Sequence, residues 1–317
     1  MLCDTILGAV GKTPLVKLNR IGKNIPASLY VKCEFLNPGG SLKDRIAKQM
    51  LLDAEQAGRI KRGDTIIEAT SGNTGIGLAM AGAVLGYKIV ITMPEKMSHE
   101  KEVVLKALGA EIIRTPTDVP YSSPASHIEV AKKLQQERPN AHILDQYSNA
   151  SNPKAHYTHT AQEIIADLGK QVDMLVVAAG TGGSISGLAK RIKEHNPDAQ
   201  IVGVDPEGSI LGGGDEVCAY QVEGIGYDFV PKVLSYDDIS VWDKTTDKES
   251  FAWARRLIKE EGLLVGGSSG AVIAATLRHA AHLAADQNCV AILPDGVRNY
   301  LTKFISDNWM QEHNLMD

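Results

Sequence analysis

From Asp64 onward, short runs rich in valine and isoleucine alternate with stretches of helical periodicity. A glycine-rich turn precedes the helix at three of these joints. Few patterns limit a chain more. Successive parallel strands cannot be joined by a tight hairpin, so each needs a crossover, and the crossover helices cover both faces of the sheet. Thr65 to Glu68, Lys88 to Thr92, Ala110 to Arg114, Asp173 to Ala178, Ile201 to Val204 and Cys289 to Leu293 read as strands. Gly75 to Leu85, His99 to Leu108, Ile185 to Lys193 and Ser250 to Glu260 read as helices. The strands are apolar at consecutive positions, as burial on both faces requires. The fold class is therefore α/β, with doubly wound parallel sheets.

The alternation comes in two series, which predicts two lobes. The polar stretch Tyr147 to Pro153 suits the crossover between them. The irregular stretch Pro206 to Pro231 carries six glycines and no periodicity, and a loop of that length in a compact protein is usually functional.

Composition excludes several classes. Hydrophobic residues are 44% and charged residues 22%, which removes disorder and fibrous folds. A net charge of −5 with no basic run argues against a nucleic-acid partner. No apolar run approaches the length of a membrane span, and the start Met1-Leu2-Cys3-Asp4 shows no secretory pattern. The four cysteines form no C-x-x-C pair and read as reduced thiols, so a cytoplasmic protein is expected.

The three glycine-rich turns are Thr70-Ser71-Gly72-Asn73-Thr74-Gly75, Gly180-Thr181-Gly182-Gly183-Ser184 and Gly266-Gly267-Ser268-Ser269-Gly270. Glycine lets backbone N–H groups approach an anion, and a helix N-terminus favours negative charge. In sheets of this type, ligands sit at the carboxyl ends of the strands. Anion cradles in both lobes would suit a ligand with two anionic ends. None of the three is a phosphate-binding Gly-Lys-Ser/Thr loop, and Met80 spoils the dinucleotide fingerprint beginning at Gly75. The third turn matches G-x-S-x-G, yet the acid, histidine and oxyanion partners of a hydrolase are not in place. His156 with His159, and His279 with His282, stand three apart without a third ligand, so no metal is expected.

A further concentrated stretch is Asn37-Pro38-Gly39-Gly40-Ser41-Leu42-Lys43-Asp44-Arg45. Ser41 and Asp44 fit a capping box, which starts a helix and puts Lys43 in its first turn. The positive helix end would disfavour an ammonium there and favour a nucleophilic amine. On spacing alone, a solvated surface lysine explains Lys43 as well.

Lys43 in its Gly-Gly-Ser-Leu-Lys-Asp-Arg setting, then Ser-Gly-Asn-Thr-Gly at 71–75, then Gly-Thr-Gly-Gly-Ser at 180–184, resembles the fold-type II pyridoxal-phosphate enzymes, whose type is the tryptophan synthase β-like fold. Within that group the chain is similar to the cysteine synthase and cystathionine β-synthase families. Glu223-Gly224-Ile225-Gly226-Tyr227-Asp228-Phe229, Asp205 to Ser209, Pro294 to Tyr300, Met93 to Ser98 and Leu144 to Tyr147 lean to the second. The resemblance implies a small mobile domain (1–10 and 36–149) and a large cofactor-holding domain (11–35 and 150–317). It also implies a homodimer. Some members carry a haem-binding extension or a regulatory module; neither haem nor S-adenosylmethionine control is expected here.

The resemblance further implies roles. Lys43 would hold pyridoxal 5′-phosphate through an imine link and serve as general base. Gly180, Thr181, Gly182, Gly183 and Ser184 would bind the phosphate. Asn73 would meet the ring 3′-oxygen, and Ser268 the pyridine nitrogen. Thr70, Ser71, Gly72, Asn73 and Thr74 would hold the substrate carboxylate. Tyr147, Gly226 and Tyr227 would line the pocket for the second substrate, although plain wall packing accounts for the two tyrosines equally well. The implied reaction is β-replacement on small amino acids. L-serine or L-cysteine would condense with L-homocysteine to L-cystathionine, with sulfide released from cysteine. The alternative is O-acetylserine plus sulfide giving cysteine. A nicotinamide dehydrogenase lacks its fingerprint and gives Lys43 no role. A non-catalytic scaffold would be expected to have lost Lys43, Asn73 or the phosphate loop.

Overall fold

The computed structural model describes residues 2–70, 72–95, 97–117 and 119–316. Two sheets organise it. In chain order the elements are β1 (Leu15–Lys17), β2 (Ser28–Cys33), α1 (Lys43–Gln56), β3 (Thr65–Ala69), α2 (Asn73–Leu85), β4 (Lys88–Pro94) and α3 (His99–Ala107). There follow β5 (Glu111–Thr115), α4 (His127–Glu137), β6 (Ala141–Ile143), α5 (Ser151–Ala155), α6 (Ala161–Leu168), β7 (Met174–Ala178) and α7 (Gly183–His195). The remainder is β8 (Gln200–Pro206), β9 (Val241–Thr245), α8 (Asp247–Arg256), α9 (Gly267–Ala280), β10 (Asn288–Leu293) and α10 (Asp307–Glu312).

One sheet has four strands in the order β5-β4-β3-β6, all parallel. The other has six, in the order β1-β2-β10-β7-β8-β9. It is parallel except for β1, which pairs antiparallel with β2 at one edge. The sequence reading missed β1, β2, β6 and β9. Three of them have only three to five residues, and the apolar run of β2 is broken by Lys32.

Both faces of each sheet are buried. In β7, Met174, Val176 and Ala178 join one core and Leu175 and Val177 the core on the opposite face. The period of two and a run without polar breaks together produce this division. In β3, Ile66 and Ile67 separate in the same way.

Helix α2 is buried from Asn73 to Gly82, as its apolar circumference demands. It lies close on α1. A Cβ added at Gly77 would come within 2.8 Å of Ala47 Cβ and 3.2 Å of Lys43 O. This approach sets the starts of the two helices, Lys43 and Asn73, side by side.

Two helices end in π-type turns. His156–Thr160 joins α5 to α6, and Leu257–Glu261 continues α8 to the end of the expected helical run. The predicted capping box at Ser41 and Asp44 does not form. The cap position is Leu42, with no side-chain bond. Asp44 Oδ2 instead accepts from Gly39 N at 2.6 Å, and Ser41 Oγ accepts from Lys43 N at 3.2 Å. Gly40, with φ 85°, turns the chain so that Asp44 reaches back over Gly39.

Candidate active site

The residues singled out from sequence converge on the carboxyl ends of the strands. Lys43 opens α1 and is half-buried. Its Nζ makes no hydrogen bond or ion pair with any described residue. Burial pushes its ammonium down to about 8; Lys101 adds to this, and Asp295 pulls the other way. The direction matches the sequence expectation, but the principal cause is desolvation.

The second turn feeds α2. Thr70 ends its run with its N–H on Thr92 O, and its hydroxyl accepts from Gly72 N at 3.1 Å. Gly72 has φ 122°, and an added Cβ would meet Lys101 Cδ at 2.6 Å. Thr74 Oγ1 donates to Gln146 Oε1 at 2.7 Å. Ser71 lies outside the described residues. Asn73 Nδ2 donates to Asp295 Oδ2 at 2.8 Å, and Asn299 Nδ2 donates to Asn73 Oδ1 at 3.2 Å.

The turn at 180–184 feeds α7. Gly182 has φ 81°, and a Cβ there would strike Leu234 at 2.5 Å. A Cβ at Gly180 would meet Gly224 O at 2.5 Å, and one at Gly183 would meet Asn152 Oδ1 at 2.1 Å. Only glycine fits, and the turn therefore presents bare backbone. The amides of Ser184 and Ile185, in the first turn of α7, have no acceptor among the described residues. Free first-turn amides at a helix start make an anion cradle. Thr181 Oγ1 is held by Asn152 Nδ2 at 2.9 Å.

Ser268 lies in the first turn of α9, 3% exposed, and its hydroxyl has no partner among the described residues. The glycines around it serve packing. A Cβ at Gly267 would strike Phe251 and one at Gly270 would strike Ser250 O. Gly226 N donates to Ala179 O at 2.8 Å, which seats the loop after Glu223 beside the turn at 180–184. Tyr147 and Tyr227 meet hydroxyl to hydroxyl at 3.1 Å, with rings edge to face at 5.5 Å. Phe229 packs on both.

Sequence reasoning overlooked the connectors. Gln146, Asn152 and Asp295 join the separate turns, and Glu68 holds Gln146. Glu68 Oε1 accepts from Gln146 N at 2.8 Å, and Oε2 from Asp145 N at 3.0 Å. The signal available was a run of amide side chains, Gln146, Asn149 and Asn152, in the crossover between lobes. Among the described residues no cluster of metal-ligating side chains occurs.

The model of the family described as pyridoxal-phosphate dependent enzyme matches residues 6–295. The chain belongs to the pyridoxal-phosphate dependent enzymes. Its relatives in this family include the cystathionine β-synthase of Oryctolagus cuniculus, 57% identical over 98% of this chain and 58% of that protein. That of Dictyostelium discoideum is 54% identical over 100% of this chain and 64% of that protein. The chain thus spans about six-tenths of the length of these curated relatives. Among solved structures, a hydrogen sulfide-producing enzyme from Fusobacterium nucleatum superposes with a TM-score of 0.90 at 38% identity, covering 95% of this chain and 100% of that one. An O-acetylserine dependent cystathionine β-synthase from Helicobacter pylori gives 0.89 at 38% identity, covering 96% and 98%. The features that fit pyridoxal phosphate are an unpaired, desolvated amine at Lys43 and an amide cradle at α7 that any Cβ would obstruct.

Proposed function

We propose that this protein is a β-replacement lyase of the cystathionine β-synthase type, joining L-serine or L-cysteine to L-homocysteine. The observation that carries the reading is the unpaired, desolvated Lys43 amine at the start of α1, which packs against the start of α2. The 53–57% identity to cystathionine β-synthases over nearly the whole chain supports it. The coenzyme, when bound, supplies the electron sink that makes the Cα proton of an amino acid removable and a Cβ substituent able to leave.

The chain's own residues do the rest. Lys43 would anchor the coenzyme, and Gly180 to Ser184 would take its phosphate on the amides that open α7. Asn73 would donate to the ring oxygen. Ser268 would offer the pyridine nitrogen a neutral hydroxyl in place of a carboxylate. That leaves the ring a weaker sink, suited to β-elimination over transamination. Thr70 to Thr74 would hold the substrate carboxylate, with Thr74 braced by Gln146. Once released by the substrate, Lys43 Nζ would take the Cα proton and later return it. Tyr147, Gly226 and Tyr227 would shape the pocket for the incoming thiol.

The lobe around Ser71, taken as 1–10 and 36–149, would close on substrate and exclude water. The remainder, 11–35 and 150–317, would hold the coenzyme. The homodimer belongs to the same reading: Leu36, Val104 and Leu264 stand exposed around an apolar groove of about 870 Å³. A cytoplasmic location does as well, and no described helix is long and apolar enough to cross a membrane.

The deciding experiment offers the purified protein serine with homocysteine, and separately O-acetylserine with sulfide, following product by mass spectrometry. Cystathionine from the first pair is expected. Turnover of the second pair alone would replace this reading with a cysteine synthase.

A further inference from the structure

Pro294, Asp295 and Gly296 leave the end of β10 and tie together three of the turns described above. Leu42 N donates to Pro294 O at 2.9 Å and Gly296 N to Gly40 O at 3.2 Å, which stitches the turn before Lys43 to this segment. Gly266 N donates to Asp295 O at 2.9 Å and Val297 N to Leu264 O at 3.0 Å, which stitches the turn before Ser268. The Asp295 side chain reaches the third turn, at Asn73.

Asp295 is 2% exposed. Its Oδ2 accepts from Asn73 Nδ2 at 2.8 Å and from Tyr300 OH at 2.5 Å. Its Oδ1 has no partner and lies over Gly266, where an added Cβ would come within 2.1 Å. A buried carboxylate with an unsatisfied oxygen is costly, and fold stability alone gives no reason for one. Asn73 is held from both ends, by Asp295 and by Asn299. Turning its amide over would set oxygen against the carboxylate and nitrogen against the Asn299 donor, which is repulsive at both contacts. The orientation is fixed, with one N–H of Nδ2 on Asp295 and the donor side of the amide also facing the Tyr300 hydroxyl. A donor is what the coenzyme's ring oxygen requires.

We propose that Asp295 is a positioning residue of the coenzyme site. It locks the donor side of the Asn73 amide, so that an N–H can pass from the Tyr300 hydroxyl to the coenzyme's ring oxygen, and it sets a buried carboxyl group in the Lys43 neighbourhood. The inference rests on the assignment of Lys43 and Asn73 to the coenzyme. Independently of the hydrogen bonds, Asp295 raises the Lys43 ammonium against the downward push of burial.

The test is Asp295→Asn, which keeps the shape but can donate as well as accept, and so frees the Asn73 amide. Coenzyme affinity is expected to fall roughly tenfold, as for loss of one charged hydrogen bond. The visible absorption of the bound coenzyme and its pH titration should both move. Most of the effect should vanish in an Asn73→Ala background, because the two residues act as one unit. A purely structural role would lower thermal stability, leave spectrum and titration in place, and add fully to Asn73→Ala. Wild-type affinity, spectrum and titration in the variant would overturn the proposal and leave the Lys43 assignment standing. A wild type that takes up no coenzyme, or a Lys43→Ala variant that keeps the absorption, would overturn both. Should Asp295→Asn fail to fold, Tyr300→Phe decides. It strips a donor from the same oxygen, and an unchanged titration would then defeat the idea.

Discussion

At the residue scale the central quantity is the proton on Lys43. Its amine is pushed down to about 8, so the nucleophilic form dominates above that pH and the ammonium below it. Uptake of pyridoxal phosphate by the coenzyme-free protein should therefore accelerate as pH rises through about 8, then level off. Stopped-flow absorbance measures this directly. Lys43→Ala should show no such phase and no visible band. The position of Lys43 was legible because its flanking residues form a dense, distinctive string. The reason for its lowered pKa was not. Sequence offered only the helix end, whereas most of the effect comes from burial by the folded chain, with a further push from Lys101, 58 positions away along the chain. The tie from Asp295 to Asn73 was illegible for the same reason. Nothing local marks an aspartate that matters through Asn73, although Gly266 records the contact by having no side chain.

At the element scale the parallel strands and the helices after the glycine turns could be read because their patterns are long and pure. Edge strands such as β1, three residues long, carry too little pattern to register. The predicted cap at Ser41 failed because Gly39 offered Asp44 a nearer donor. Gly77 shows what a helix pair demands. Its missing side chain lets α2 approach α1 and fixes Lys43 next to Asn73. Gly77→Val should cost about 1–3 kcal/mol by overpacking, read as a lower denaturation midpoint. It should also weaken coenzyme binding, because the two helix starts are forced apart.

At the scale of the whole molecule, the two sheets are joined by charge buried between them. Lys101 of α3, fully buried, pairs with Glu223 Oε2 at 2.6 Å and lies 4.8 Å from the Tyr300 ring centroid. Lys303 takes the other Glu223 oxygen at 2.5 Å. Burial alone would raise the Glu223 carboxyl; the two ammoniums outweigh it and lower it from 4.5. Its contribution is therefore present above pH 4.5 and lost as pH falls below it. Lys101→Met should cost roughly 3 kcal/mol near neutral pH, measured by urea denaturation. The loss should shrink in acid. No sequence pattern announces this pair, since its members are 122 positions apart. The two-sheet division has an optical consequence as well. All three indoles, Trp242, Trp253 and Trp309, fall on the side of the six-stranded sheet, in β9, α8 and α10. Tryptophan emission is blind to the four-stranded half. If that half melts first in denaturant, circular dichroism at 222 nm should decline while the emission maximum stays put, and superimposable curves would show that both halves let go together.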